Sequence, residues 1–291
     1  MKLILINSIH DKNLNALKNY KNIEIILIDD VNEINNINLH EIDCIFSPSM
    51  PLNIDALNRF TNIKFIFGPH FSVFPDTKVE FIKNNNSVYI QPSEWSKNVW
   101  KTFYLCNNLN LSVLPFGIDT DKFKNEKELK NRDKVFIYNK IRDPSELEYL
   151  ENFLKYKNIN YNIFSYDEKY EEKEYLAFLK DAKYGIWLGR HESQGFALEE
   201  ALSCNVPLLV WDIKTMNQEY KSNYDKYVAT SIPYWNELCG EYFYEKENLE
   251  ESFNTFIDKL YNYNPRKYIL DNLTYEICEN KLIELINNIN N

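Results

Sequence analysis

Along most of the chain, short uninterrupted apolar runs alternate with amphipathic stretches. The runs KLILI (2–6), IEIILI (23–28), DCIF (43–46), KFIF (64–67) and VYI (88–90) come first, with helical patterns near 11–20, 76–84 and 94–104. Runs that are apolar at every position suit strands buried on both faces, as in a parallel sheet covered by helices. The third helix is announced by PSEWSKNVWKTF, where Pro92 closes the strand and Ser93 is placed to cap the helix. A charged run, KNEKELKNRDK (124–134), then interrupts the pattern and reads as a linker.

Beyond it the pattern restarts with KVFIY (134–138), a helix from Pro144 to about Tyr156, YNIFSY (161–166), a helix near 171–182, YGIWLG (184–189) and VPLLVW (206–211). Two β/α series predict an α/β protein of two doubly wound domains, 1–125 and 126–291. A last amphipathic region, about 249–290, is long enough to run back onto the first domain.

Charge narrows the function classes. The 291 residues carry 43 acidic against 33 basic side chains, a net charge of -10, which disfavours a binder of nucleic-acid phosphates. Residues 1–125 are nearly neutral, with 12 basic and 13 acidic side chains, so most of the acidity falls in the second series. Cys44, Cys106, Cys204, Cys239 and Cys278 are odd in number and lack C-x-x-C spacing, which indicates neither a disulfide framework nor a zinc site. With no leader-like segment and no run of about 20 apolar residues, the expectation is a reduced, cytoplasmic protein with no clear membrane-binding surface.

Within the second series, GRHESQGFALEEALSCNVPLLVW (189–211) stands out, because Glu192 and Glu200 bracket a glycine between a strand and a helix. Ligands of open parallel sheets sit beyond the carboxyl ends of the strands, where Arg190 to Gly195 would lie. Gly195 allows a tight turn and close backbone approach, and the unpaired first amides of a helix starting near Phe196 suit an anion, most naturally a diphosphate. Ionised carboxylates only accept hydrogen bonds, which suits a ribose and a sugar ring. Together these demands describe a nucleotide sugar. Glu199, beside Glu200, is expected to face outward.

The segment resembles the Glu, seven residues, Glu signature of retaining glycosyltransferases with the GT-B fold, of the glycosyl transferases group 1, family 4-like type, here as a short variant. YIQPSEWSKNVW (89–100) is similar to that family's strand and serine segment late in the first domain, and VLPFGIDTDKF (113–123) to its PNGVDxxxF passage before the second. The resemblance implies two Rossmann-like domains facing a central cleft, with the acceptor on the first and the nucleotide-sugar donor on the second. It implies that Glu192 contacts the transferred sugar, that Gly195 and Phe196 present backbone to diphosphate and sugar, and that Glu200 binds ribose. His70, in FGPHFS (67–72), resembles a histidine placed near the anomeric carbon. The family's glycine loop after the first strand is replaced by NSIHDKN (7–13), and its Arg and Lys-Gly pair by YNKIRDPSE (138–146). Lys140 and Arg142, with Arg190, are then the candidate diphosphate contacts.

The implied activity is transfer of a sugar from a nucleoside diphosphate sugar to a saccharide or glycan acceptor with retention, with Glu192 and His70 nearest the chemistry. The resemblance implies no metal and no cofactor besides the donor. A non-catalytic nucleotide-sugar or glycan-binding protein, and a GT-B-like sugar nucleotide epimerase or phosphorylase, stay open as alternatives. Trp95 and Trp100 offer rings to stack on an acceptor sugar, although their five-residue spacing suits one core and one partly exposed ring.

Overall fold

The computed structural model describes residues 1–49, 63–70, 72–75, 86–168 and 170–289. They form two compact units, one of Met1–Gly117 with the C-terminal segment from Leu273, the other of Ile118–Asn272. The helix expected near 76–84 lies outside the described residues.

In the first unit, β1 (Lys2–Ile6), β2 (Glu24–Ile28), β3 (Cys44–Ser47), β4 (Lys64–Phe67), β5 (Ser87–Gln91) and β6 (Leu111–Val113) pair in parallel in the order β2-β1-β3-β4-β5-β6. Burial follows position: β3 and β5 are buried throughout, while β2 and β6, at the edges, are partly exposed. Continuous apolar runs thus mark the strands of the parallel sheet, and the fully buried ones lie away from its edges. Besides α1 (Asp11–Lys18), the unit contains α2 (Glu94–Lys101), with Ser93 at its N-cap and Ser96 Oγ accepting the Ser93 N–H at 3.3 Å. Both α2 tryptophans are core residues, and Trp100 Nε1 donates to Val73 O at 2.7 Å. Neither ring is the exposed stacking surface the spacing allowed, because α2 is buried over an arc wide enough to take both.

In the second unit, β7 (Lys134–Lys140), β8 (Asn162–Ser165), β9 (Ala182–Gly189), β10 (Leu208–Trp211) and β11 (Gly240–Phe243) form a parallel sheet in the order β11-β10-β9-β7-β8. Its helices are α3 (Pro144–Tyr156), α4 (Glu172–Leu179), α5 (Phe196–Ser203), α6 (Leu249–Asp258) and α7 (Pro265–Asn272). α3 starts at Pro144 because the Asp143 side chain accepts the Ser145 N–H at 2.9 Å. Leu150 and Leu154 of α3 and Phe253 and Phe256 of α6 cluster with Ile137, Ile186 and Leu209 of the sheet. Phe136 and Phe164 point to the opposite face, where their rings meet Tyr175 and Phe178 of α4 at 5.1 to 6.0 Å. Both faces are covered, so the unit is doubly wound. β11 escaped the sequence pattern because GEYF is a short edge strand whose outer position, Tyr242, is exposed.

The charged run 124–134 is not a free connector. Lys127 and Lys134 pair with Asp181 at 2.8 and 3.0 Å, and the buried Arg132 donates to the carbonyls of Lys127, Cys204 and Asn205 at 2.8, 3.1 and 3.1 Å. A buried guanidinium must find such acceptors, so a run with almost no apolar pattern is still fastened to the second unit. The last helix, α8 (Tyr275–Asn288), belongs to the first unit. Asn15 Nδ2 donates to Tyr275 Oη at 3.1 Å, the Asn22 N–H to the Glu279 carboxylate, and Lys64 Nζ to Ile286 O at 2.8 Å. A lysine there suits the negative end of the helix.

Among the described residues no helix is long and apolar enough to cross a membrane. All five cysteines are buried, and burial pushes the Cys204 and Cys239 thiols up to about 12, which leaves them protonated.

Candidate functional site

In the second sheet the chain runs from β7 out to β8 and returns to β9 on the other side of β7, so the strand order reverses between β7 and β9. Loops leaving such a pair diverge and open a crevice at the carboxyl ends. Lys140 ends β7, Gly189 ends β9, and the two are register partners. A side chain at Gly189 has no room, since a Cβ there would meet the Trp187 indole nitrogen at 2.8 Å.

The loop after β9 is held from behind. The Glu192 N–H donates to Thr230 O at 3.0 Å. Asp212, which follows β10 and is buried, accepts from Ser231 N, Ser231 Oγ and Thr230 Oγ1 at 2.7, 2.7 and 2.8 Å. Burial raises the Asp212 carboxyl above its ordinary range, and these hydrogen bonds oppose the rise. The loop ends at Gly195, the N-cap of α5, with φ +94° and ψ 51°. That left-handed conformation is open to glycine and costly to other residues. Phe196, partly exposed, is the first residue of α5.

Charge gathers on this rim. Lys140 Nζ lies 2.6 Å from Glu192 Oε1, with the two side chains 11% and 12% exposed. The same Nζ sits 4.4 Å from the centre of the Tyr166 ring, just past β8. Glu200, in α5, is 4% exposed. Glu199 does not face outward; it is fully buried, and Gln194 Nε2 donates to its Oε2 at 3.0 Å. Burial drives its pKa well above the carboxylate range, the Gln194 hydrogen bond opposes this, and the charges of Glu200 and Glu192 add to the rise. Burial thus favours the neutral form of the carboxyl. The reason is tertiary: α7 packs on α5 and leaves that side of the helix no access to water.

The basic candidates differ in what they touch. Arg142 is buried; its Nε and Nη2 fork onto Glu146 at 2.8 Å each, and Nη1 donates to Gly189 O and Trp211 O at 3.0 and 2.9 Å. It ties the ends of β9 and β10 to α3. Arg190 Nη1 contacts His191 Nε2 at 2.9 Å and Glu219 Oε2 at 3.2 Å. Burial, then the cations Arg190 and Lys140, press the His191 pKa down to about 3. Glu219 lies 3.4 Å from His191 Nδ1, but it already answers Arg190 and does not reverse that balance. Between Lys140 and Arg142, Ile141 has φ +48°, a strained conformation for a β-branched residue. Its carbonyl accepts the Tyr220 N–H at 3.0 Å.

Lys140, Arg142, Arg190, Glu192, Gly195, Phe196 and Glu200 all belong to the second unit, whereas His70 stands in the first, just past β4, with its ring 5.0 Å edge-on from Trp100. Sequence reasoning missed Tyr166, Ile141 and Asp212. Tyr166 closes the run 161–166 and Asp212 directly follows the run 206–211, so the rule that singled out the loop after β9 applied to them too. Ile141 carried no such signal, because an isoleucine in that conformation is unexpected. Among the described residues, no group of three or more His, Cys, Asp or Glu side chains is arranged to hold a metal ion.

No protein-family model matches the chain, and no curated protein sequence matches it. Its fold does recur in solved structures. The N-terminal domain of Candida albicans trehalose-6-phosphate phosphatase matches with a TM-score of 0.60 at 12% identity, over 99% of this chain and 89% of that one. The catalytic domain of starch synthase IV from Arabidopsis thaliana, solved with ADP and acarbose bound, matches with a TM-score of 0.51 at 10% identity, over 86% of this chain and 73% of that one. At such identities the likeness shows the fold, two Rossmann-like parallel-sheet units of the GT-B kind.

Proposed function

We propose, from two Rossmann-like units of the GT-B kind and the charged rim of the second, that the chain is a retaining glycosyltransferase. It takes a nucleoside diphosphate sugar on that rim and passes the sugar to a saccharide or glycan. The observation that carries this reading is the meeting of Lys140, Glu192 and the glycine-led start of α5 at the strand-order reversal. The Lys140 ammonium and the first amides of α5 suit the diphosphate, while Glu200 and Glu192 accept hydrogen bonds from ribose and sugar hydroxyls. As the bond from the anomeric carbon to the diphosphate oxygen breaks, the same amides and Lys140 stabilise the leaving charge. The acceptor oxygen bonds to that carbon from the same face and gives its proton to the departing diphosphate. Arg190 adds a cation at the edge, and Arg142 acts by holding the strand ends. A starch synthase domain of the same fold solved with ADP and acarbose is in keeping with a nucleotide and a saccharide as the two ligands.

The test is a panel of nucleoside diphosphate sugars and saccharides given to the full chain. Nucleoside diphosphate should appear only when a saccharide is present, and should fall steeply in Glu200→Ala and Glu192→Ala variants that keep the wild-type melting temperature. Wild-type turnover in both variants contradicts the reading. Tight donor binding with no turnover on any acceptor replaces it with a nucleotide-sugar-binding protein.

A further inference from the structure

Lys140 is the cation at the reversal point, and the protein already supplies it with an anion. Its Nζ is 2.6 Å from Glu192 Oε1, in a pair largely screened from water, and 4.4 Å from the centre of the Tyr166 ring. Glu192 is not delivered by a loose loop. Its N–H is fixed to Thr230 O at 3.0 Å, and the segment behind is held by Asp212. Charges paired out of water attract each other more strongly than they do in it, so Glu192 holds the ammonium against a second anion.

We propose that Glu192 is a built-in competitor for the ligand's diphosphate: it occupies Lys140 while the crevice is empty, and the diphosphate must displace it. The inference rests on the reading of the rim as a nucleotide-sugar site and adds an order of events to it. A carboxylate freed from Lys140 regains the lone pairs with which it accepts sugar hydroxyls. Recognition of the sugar by Glu192 therefore follows recognition of the diphosphate by Lys140, and a sugar without a diphosphate gains little from the site. The Tyr166 ring keeps the ammonium in place through the exchange, since a cation–π contact does not depend on the carboxylate.

Calorimetric titration of the full chain with inorganic pyrophosphate, and with the nucleoside diphosphate that binds best, tests this. Glu192→Gln keeps the shape and removes the charge, and it should raise pyrophosphate affinity about threefold to tenfold. The gain should shrink to less than about twofold when the same change is made in a Lys140→Met background, where no ion pair remains to be released. Unchanged or weaker pyrophosphate binding by Glu192→Gln, or an equal gain with and without Lys140, overturns the proposal. Should Glu192→Gln melt early, Glu192→Asp, one methylene short of Lys140, is expected to show a smaller gain in the same direction, and no gain there is equally decisive. Wild-type binding of a nucleoside diphosphate without the gain leaves the glycosyltransferase reading standing and removes only the competition. The gain without any sugar transfer does the reverse.

Discussion

The rims of the two sheets differ in chemistry although their topology is alike. Both sheets are parallel and both reverse strand order, between β1 and β3 in the first unit and between β7 and β9 in the second. At the first reversal the strands run into Asn7, Ser8, Ser47 and Ser49, which are uncharged, and Ser49 Oγ donates to Ser8 O. Two strands beyond β3, β5 ends at Gln91, whose buried amide nitrogen has no hydrogen-bond partner among the described residues. At the second reversal stand Lys140, Arg190 and Glu192, with Glu200 in the helix that follows. The same architecture provides the position twice, and the side chains decide what can be bound there. The second reversal carries a cation, Lys140, whereas the first carries hydroxyl and amide groups, with the Asp29 carboxylate accepting from Asn7 Nδ2 at 2.7 Å.

The largest effect that could break this contrast is expected at Glu200. Replacing it by alanine removes hydrogen bonds from a charged acceptor and should cost about 2 kcal/mol of nucleoside diphosphate sugar affinity, roughly thirtyfold. Gln91→Met, at the first rim, should leave that affinity unchanged. A buried donor without an acceptor is replaced there by an apolar group of similar shape, so denaturant unfolding should show equal or slightly higher stability. Equal losses of affinity in the two variants would dissolve the contrast.

A smaller effect concerns pH, where two buried groups beside the second rim act in opposite senses. His191, held near 3 against an ordinary 6.5, stays neutral when folded, so the unfolded chain takes up its proton first. Stability is then lost as pH falls below about 6.5, by about 1.4 kcal/mol per pH unit. Glu199 has a raised pKa, so it stays protonated when folded while the unfolded chain ionises above about 4.5, and stability is gained on acidification at the same rate. Above about pH 4.5 and below about pH 6.5 the two slopes oppose each other. Urea unfolding across that window should show His191→Asn gaining stability towards acid and Glu199→Gln losing it; parallel slopes in both variants would contradict the assignment.

The smallest effect separates two strained residues. Ile141→Gly relieves a β-branched residue at φ +48° and should stabilise by about 1 kcal/mol. Ser49, at φ +61°, is also left-handed, but its Oγ donates to Ser8 O, and Ser49→Gly forfeits that bond. Thermal melts should therefore show a gain for Ile141→Gly and none for Ser49→Gly.

Most of this fold was legible because central strands of a parallel sheet must be apolar on both faces. KLILI and KFIF became β1 and β4 residue for residue, and the Asp143 cap fixed the start of α3. Elements stabilised by distant partners were not legible. Edge strand β11 had no continuous run, and the charged segment 124–134 docks through Arg132 onto carbonyls some 70 residues away. The same holds at the rim. Glu192 and Glu200 lie in the loop and helix where the strand and helix patterns placed them, and Lys140 ends β7 two residues beyond its apolar run, whereas the burial of Glu199 depends on α7, more than 60 residues downstream. The inward fork of Arg142 onto Glu146, Gly189 and Trp211 depends on the ends of β9 and β10, which only the assembled sheet brings to it.

The central claim is that the second rim, through Lys140, holds a nucleoside diphosphate. It is tested most directly by calorimetric titration of wild type, Lys140→Met and Gln91→Met with uridine, guanosine and adenosine diphosphates. One of these should bind wild type and Gln91→Met equally, with one site per chain, and bind Lys140→Met at least about tenfold more weakly. Equal affinity in Lys140→Met, or a loss confined to Gln91→Met, would contradict it.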